Sequence, residues 1–248
     1  MSNDEEAEGR RWEALNPEIL TLIFVRIQPV DEMVRCVPFV CKSWMEVVAG
    51  PYCWQDINLF PWWWRCTLQR RFLIETVEVD AVVGKLVQRS SCTLQRLSVN
   101  KIGESGFLSV LNCGRCLKWL QIPNSSITDD MVLKHVRLLP NLIYLDISYC
   151  IHITHKGIAA FGNNCKSLVF LTRNRAIDDS EAMAIAHTMP NLKRIKLGYG
   201  GFGNLGLSEI LTKCKSLTHL DIRGCRKVEL DGDLMEICGR LVHFQSIC

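Results

Sequence analysis

Tyrosine and histidine are scarce in this 248-residue chain, four and six, and its 29 basic residues nearly cancel its 26 acidic ones. A net charge of +3 is too small, by itself, to argue for a nucleic-acid or anionic-membrane partner. A nucleic-acid reader would also need a denser basic stripe than any seen here. No apolar run approaches the roughly 20 residues of a membrane span. The acidic, polar start, MSNDEEAEGRR, lacks the apolar core of a secretory signal. The expected location is therefore the nucleus and/or cytoplasm, where the 13 cysteines stay reduced. G-x-S-x-G, a P-loop and H-E-x-x-H are all missing, and the histidines are scattered, so no catalytic site, metal or other cofactor is expected.

What is abundant is apolar side chain. At 48% hydrophobic and 22% charged, the chain reads as globular, with one or two domains. Its leucines recur. The frame L-x-x-L-x-L begins at Leu94, Leu117, Leu142, Leu168, Leu192 (with Ile195 second) and Leu217, and a seventh begins at Leu241. The intervals are 23, 25, 26, 24, 25 and 24 residues, inside the leucine-rich-repeat range. In Leu142–Ile147 the period-two alternation turns Leu142, Leu145 and Ile147 inward and Tyr144 and Asp146 outward. Ile158, Phe161 and Cys165 follow at helical spacing. One unit cannot bury both faces. Stacked units can, which predicts an α/β solenoid with an inner parallel sheet and outer helices.

The repeat frame also sorts the cysteines. Cys150 and Cys225 lie five residues after the second leucine, at the turn position whose polar atom bonds loop backbone. Cys165, Cys214 and Cys238 lie three residues before the next leucine, a phase that elsewhere holds Leu139 and Met189, and so are core. Cys113-Gly-Arg-Cys116 lacks the second pair that zinc would want.

Residues 12–58 have a different pattern. Pro17-Glu18 suits a helix start, and Ile19, Leu20, Ile23, Phe24 and Ile27 make an apolar stripe before Pro29 interrupts. Met33, Val34, Val37, Val40, Cys41 and Trp44 form a second segment, and Met45 to Val48 a third. Leu15-x-Pro17-Glu18-Ile19-Leu20, Ile23-Phe24, Asp31, Val40-Cys41-Lys42-x-Trp44 and the distal Trp54 resemble the F-box. The usual proline directly after the first leucine is Asn16 here, with Pro17 one place later. Together with the cysteine-bearing repeats, the closest resemblance is to plant F-box/leucine-rich-repeat proteins. It divides the chain into an F-box at 12–58, a junction with degenerate first repeat(s) at 59–93, and a solenoid of about six full units plus a terminal strand at 94–248.

The resemblance implies a substrate-recognition subunit of an SCF (Skp–Cullin–F-box) ubiquitin ligase. Leu15, Pro17, Ile19, Leu20, Ile23, Phe24, Val37, Cys41 and Trp44 would anchor a Skp-type adaptor, and through it cullin. The repeats would hold an unknown protein substrate. The alternative is a leucine-rich-repeat scaffold with no ligase role. A small-molecule co-receptor ranks below both, because short units enclose little volume.

By phase, Arg96, Trp119, Tyr144, Phe170, Arg194 and His219 form one outward stripe, and Ser98, Gln121, Asp146, Thr172, Lys196 and Asp221 a second. The first is the candidate substrate-binding surface, since aromatics and arginine are common interface anchors. Plain ring stacking along the sheet is the competing reading. Four further features stand out. Trp62-Trp63-Trp64 either closes the solenoid's end against the N-terminal helices or binds a partner. VEVDAVV, Val77 to Val83, reads as strand. Arg173 stands where a core leucine belongs, so it either turns out or pairs with Asp178 or Asp179. Gly198 to Gly206 reads as an irregular loop.

Overall fold

The computed structural model describes residues 12, 15–27, 30–70, 74–175 and 177–246. The acidic start and the break expected at Pro29 lie outside the described residues. Three short helices open the chain: α1 (Pro17–Phe24), α2 (Val30–Arg35) and α3 (Lys42–Ala49), with single 3-10 turns at Val37–Phe39 and Pro51–Trp54. Asn16 caps α1, its side chain accepting from the Glu18 backbone N–H at 2.7 Å, and Pro17 occupies the first turn. The displaced proline is thus harmless: an Asn cap followed by a first-turn Pro is a stable helix entry. The second apolar segment does not run on to Trp44 as one helix. It breaks after Arg35, and Trp44 rides on α3, edge-on to Phe24 at 5.0 Å.

The sheet is parallel and runs in chain order: β1 (Asp56–Asn58), β2 (Arg96–Ser98), β3 (Trp119–Gln121), β4 (Tyr144–Asp146), β5 (Phe170–Thr172), β6 (Arg194–Lys196), β7 (His219–Asp221) and β8 (His243–Gln245). Its register aligns Ile57, Leu97, Leu120, Leu145, Leu171, Ile195, Leu220 and Phe244 in one column. All but Phe244 are buried. Behind the strands stand α4 (Phe60–Arg70), α5 (Thr76–Arg89), α6 (Glu104–Asn112), α7 (Asp129–His135), α8 (His155–Asn164), α9 (Asp179–Thr188), α10 (Asn204–Lys213) and α11 (Gly232–Gly239). The column of second leucines and the helix faces make one continuous apolar core with the N-terminal helices.

The first repeat begins earlier than the leucine frame suggests. Trp54, Ile57 and Leu59 are buried like Leu94, Leu97 and Val99, so W-x-x-I-x-L is the same frame with tryptophan in first place. Forty residues then pass before Leu94, because both α4 and α5 intervene. VEVDAVV is part of α5, not a strand. Val79, Val83, Leu86 and Val87 are buried along it, at the three-to-four-residue spacing that burial of a helix face requires. Trp62 and Trp63 on α4 pack against the core while Trp64 is exposed, and Arg65 of the same helix pairs with Asp31 and Glu32 of α2.

Gly198 to Gly203 is a connection of the ordinary kind, ending at α10, and none of its glycines has positive φ. Positive φ falls instead on Lys101, Asn124, Tyr149, Arg175, Tyr199 and Gly224, each two residues past the last inward position of its strand frame. At the first five of these the backbone N–H reaches the next unit's carbonyl, as from Asn124 to Ser148 (2.9 Å) and from Tyr199 to Arg223 (2.7 Å). The ladder thereby continues through the turn, which offsets a left-handed strain of about 1–2 kcal/mol per residue.

Candidate interaction surfaces

The register places the sequence-derived stripe in one row: Arg96, Trp119, Tyr144, Phe170, Arg194 and His219 are direct neighbours on successive strands. Asp56 and His243 extend the row at its two ends. Asp56 pairs with Arg96 at 3.6 Å, and the Arg96 guanidinium lies 4.4 Å over the Trp119 ring. Trp119 and Tyr144 stack at 3.6 Å and 6°. Arg194 covers Phe170 at 5.3 Å, and His219 faces His243 at 5.7 Å. Each arginine–ring contact is worth roughly 0.5–1 kcal/mol at such exposed positions. Parallel strands about 4.8 Å apart carry standing rings close enough to stack. Desolvation first, and then Arg194 and His243, hold His219 below the ordinary histidine range.

The second stripe is mostly sunk. Ser98, Asp146, Thr172 and Asp221 are buried, Gln121 is half-buried, and Lys196 is exposed. Burial pushes the Asp146 carboxyl above its usual range, against bonds from the Ser148 N–H (2.9 Å) and the Gln121 side chain (3.1 Å). Burial acts the same way on Asp221, but the Arg223 fork outweighs it and leaves that carboxyl below the usual range.

Arg173 neither turns out nor pairs with Asp178 or Asp179. It is 1% exposed and bonds Glu181 of α9 at 2.9 Å. The same guanidinium donates to the carbonyls of Ile147, Cys150 and Ile153. The cysteines sort by burial as the frame implies. Cys150 Sγ donates to Ile122 O at 3.2 Å and Cys225 Sγ to Leu197 O at 3.1 Å. Burial pushes Cys150, Cys214 and Cys238 to about 11 and Cys165 to about 12, so these thiols stay protonated and unreactive at neutral pH. Cys113 faces Cys92 at 3.2 Å, and Cys116 is exposed.

The nine N-terminal candidates do not share one surface. Leu20, Phe24 and Val37 are buried and hold the three helices together, so they cannot reach a partner while the module stays folded. Leu15, Cys41 and Trp44 are partly covered, and Pro17, Ile19 and Ile23 are exposed. Beside Ile19 and Ile23 the module also exposes Leu22, Phe39 (82%), Val40 and Met45. Sequence reading offered none of Leu22, Phe39, Val40 and Met45 as anchors, because an apolar residue on a short helix reads as core. The available signal was excess: three short helices carry more apolar side chains than their small core can take.

Comparison with known proteins decides the family. The F-box protein FBW2 of Arabidopsis thaliana is 38% identical over 92% of this chain and 72% of its own length. The chain belongs to the F-box/leucine-rich-repeat family. Another F-box/leucine-rich-repeat relative, the putative Arabidopsis protein 23, is 29% identical over 92% of this chain and 51% of its own length. The Leucine Rich repeat family model matches residues 213–232, the end of α10 through β7 to the start of α11. Among solved structures, a yeast Rad7 and Elc1 complex covers 71% of this chain and 58% of its own chain at 14% identity and a TM-score of 0.48. Residues 213–232 thus fall on one unit of the sheet-and-helix stack, whose helices and parallel strands repeat along the chain.

Proposed function

We propose that this protein is a substrate-recognition subunit of an SCF ubiquitin ligase, its F-box, within residues 12–58, docking a Skp-type adaptor and its repeats holding the protein to be modified. The observation that carries the reading is the number of exposed apolar side chains on the F-box: Ile19, Leu22, Ile23, Phe39, Val40 and Met45. Open apolar surface on so small a module is a binding surface or a liability. The F-box is also fixed to the repeats, since Trp54 donates from Nε1 to Val48 O of α3 (2.8 Å) and opens the first repeat two residues before β1. A rigid link suits a receptor that works by proximity, holding the target's lysines near a charged conjugating enzyme while doing no bond chemistry itself. Arg96, Trp119, Tyr144, Phe170, Arg194 and His219 are the proposed target-binding stripe.

Co-expression with a Skp-type adaptor tests this. The pair is expected to copurify, and Ile19→Asp with Phe39→Asp to separate it without unfolding the chain, as followed by circular dichroism. Adaptor binding that never occurs favours the plain scaffold, and binding that survives the double change refutes these side chains as the dock. For the stripe, Trp119→Ala with Arg194→Glu is expected to abolish target capture and spare the adaptor.

A further inference from the structure

Resting on the reading that the concave stripe holds the target, we infer that what it holds is an acidic, extended polypeptide segment whose carboxylates sit over Arg194 and Lys196. The first reason is that most of the ring faces are taken. Trp119 lies between the Arg96 guanidinium and the Tyr144 ring, and Phe170 is covered by Arg194. An arriving ligand therefore meets ring edges, which carry the positive end of the aromatic quadrupole, flanked by guanidinium groups. Edges and cations suit carboxylate and carbonyl oxygens better than an apolar side chain.

The second reason is the charge left over. Asp56 is held by Arg96 and Asp221 by Arg223, and Asp146 is buried and bonded. Arg194 and Lys196 are exposed, and among the described residues neither is in an ion pair. Lys196 lies near enough to Asp146 and Asp221 to favour their charged forms. Both cations line one open cavity of about 420 Å³ on β6 to β8, with His219, Asp221, His243 and Gln245 around it. In its lining Arg194 and Lys196 outnumber Asp221, and the histidines and Gln245 add hydrogen-bond donors.

The third reason is length. From β4 to β6 the face extends about 10 Å. An extended chain covers that in about three residues. The segment that fits has an acidic residue over the cavity and, about three positions away, a residue lying along the edges of Tyr144 and Phe170. A small anion would fill the cavity alone and leave the stripe unused.

The test uses the full chain purified with a Skp-type adaptor and applied to arrays of random 12-residue peptides, one set unmodified and one containing phosphoserine. Unmodified peptides enriched in Asp and Glu are expected, with an aromatic or aliphatic residue about three places from the acidic one. Arg194→Glu with Lys196→Glu is expected to weaken their binding about tenfold or more. Lys213→Glu, on the outer helix α10, should leave it unchanged. Selection of basic or purely apolar peptides, selection of phosphopeptides alone, no retained peptide, or indifference to the double charge reversal overturns the proposal. The selected peptide is then fused to a reporter and offered to the assembled ligase. An acidic peptide that binds but is not ubiquitinated sinks the ligase reading and leaves the subsite standing. A non-acidic peptide that is ubiquitinated does the reverse.

Discussion

Arg173 gives the sharpest case at the residue scale. The same frame position holds Val99, Ile122, Ile147, Leu197 and Ile222 in the other units, all buried. A lone guanidinium there would cost several kcal/mol. It is tolerated because Glu181 supplies the counter-charge and three turn carbonyls accept its protons. Glu181 in turn closes a capping box with Asp178 at the start of α9. Arg173→Leu restores the repeat consensus yet leaves Glu181 buried alone, so a loss of about 3–5 kcal/mol is expected in urea denaturation. Adding Glu181→Gln should recover part of it. Full recovery is not expected, because the three carbonyls still lack a donor. A neutral Arg173→Leu single variant would refute the pairing argument.

At the element scale the helices are tied to one another by carboxylates. Asp80 accepts from the Gly103 N–H at the head of α6, Asp129 from Thr154 and Gly157 at the head of α8, and Asp179 from Gly203 and Gly206 at the head of α10. Each anion meets the unsatisfied N–H groups and positive dipole end of the following helix. Asp179→Ala is expected to cost about 1–2 kcal/mol, and Asp179→Asn less, because the amide oxygen can still accept. Thermal melts of the adaptor-bound chain would measure both. The turn position two residues past the strand frame offers a second check. Gly224 has φ +76°, and a Cβ there would come within 2.5 Å of the Tyr199 ring. Gly224→Ala should therefore destabilise by about 1–2 kcal/mol, chiefly through backbone strain since the exposed ring can move aside. Equal stability would show that the turn yields.

At the scale of the whole molecule, the N-terminal helices and the repeats share one apolar core. Trp54 is fully buried where they meet, and β1 extends the repeat sheet directly from the N-terminal helices. Trp54→Ala is expected to cost about 3–5 kcal/mol and to lower the stability of the N-terminal helices and of the repeats together. Circular dichroism and tryptophan fluorescence should then trace one coincident urea transition. Two separated transitions would mean that the modules fold independently.

Leucine spacing alone determined the solenoid, its strand register and the outward stripe. A 23- to 26-residue period can bury its leucines in only one stacking, and period-two alternation then fixes which side chains face out. The same spacing placed Cys150 and Cys225 in the turns. Local pattern could not decide three things. Val77 to Val83 alternates like a strand, but burial against α6 made it helix. Trp54 reads as the end of the F-box, and only pairing of Asp56 with Arg96 makes it the start of a repeat. Leu20 and Ile23 lie one turn apart on α1 with the same apolar chemistry, yet one is buried and the other open. Which of two such side chains is left for a partner depends on how three small helices share a limited core, and that is settled by packing in three dimensions.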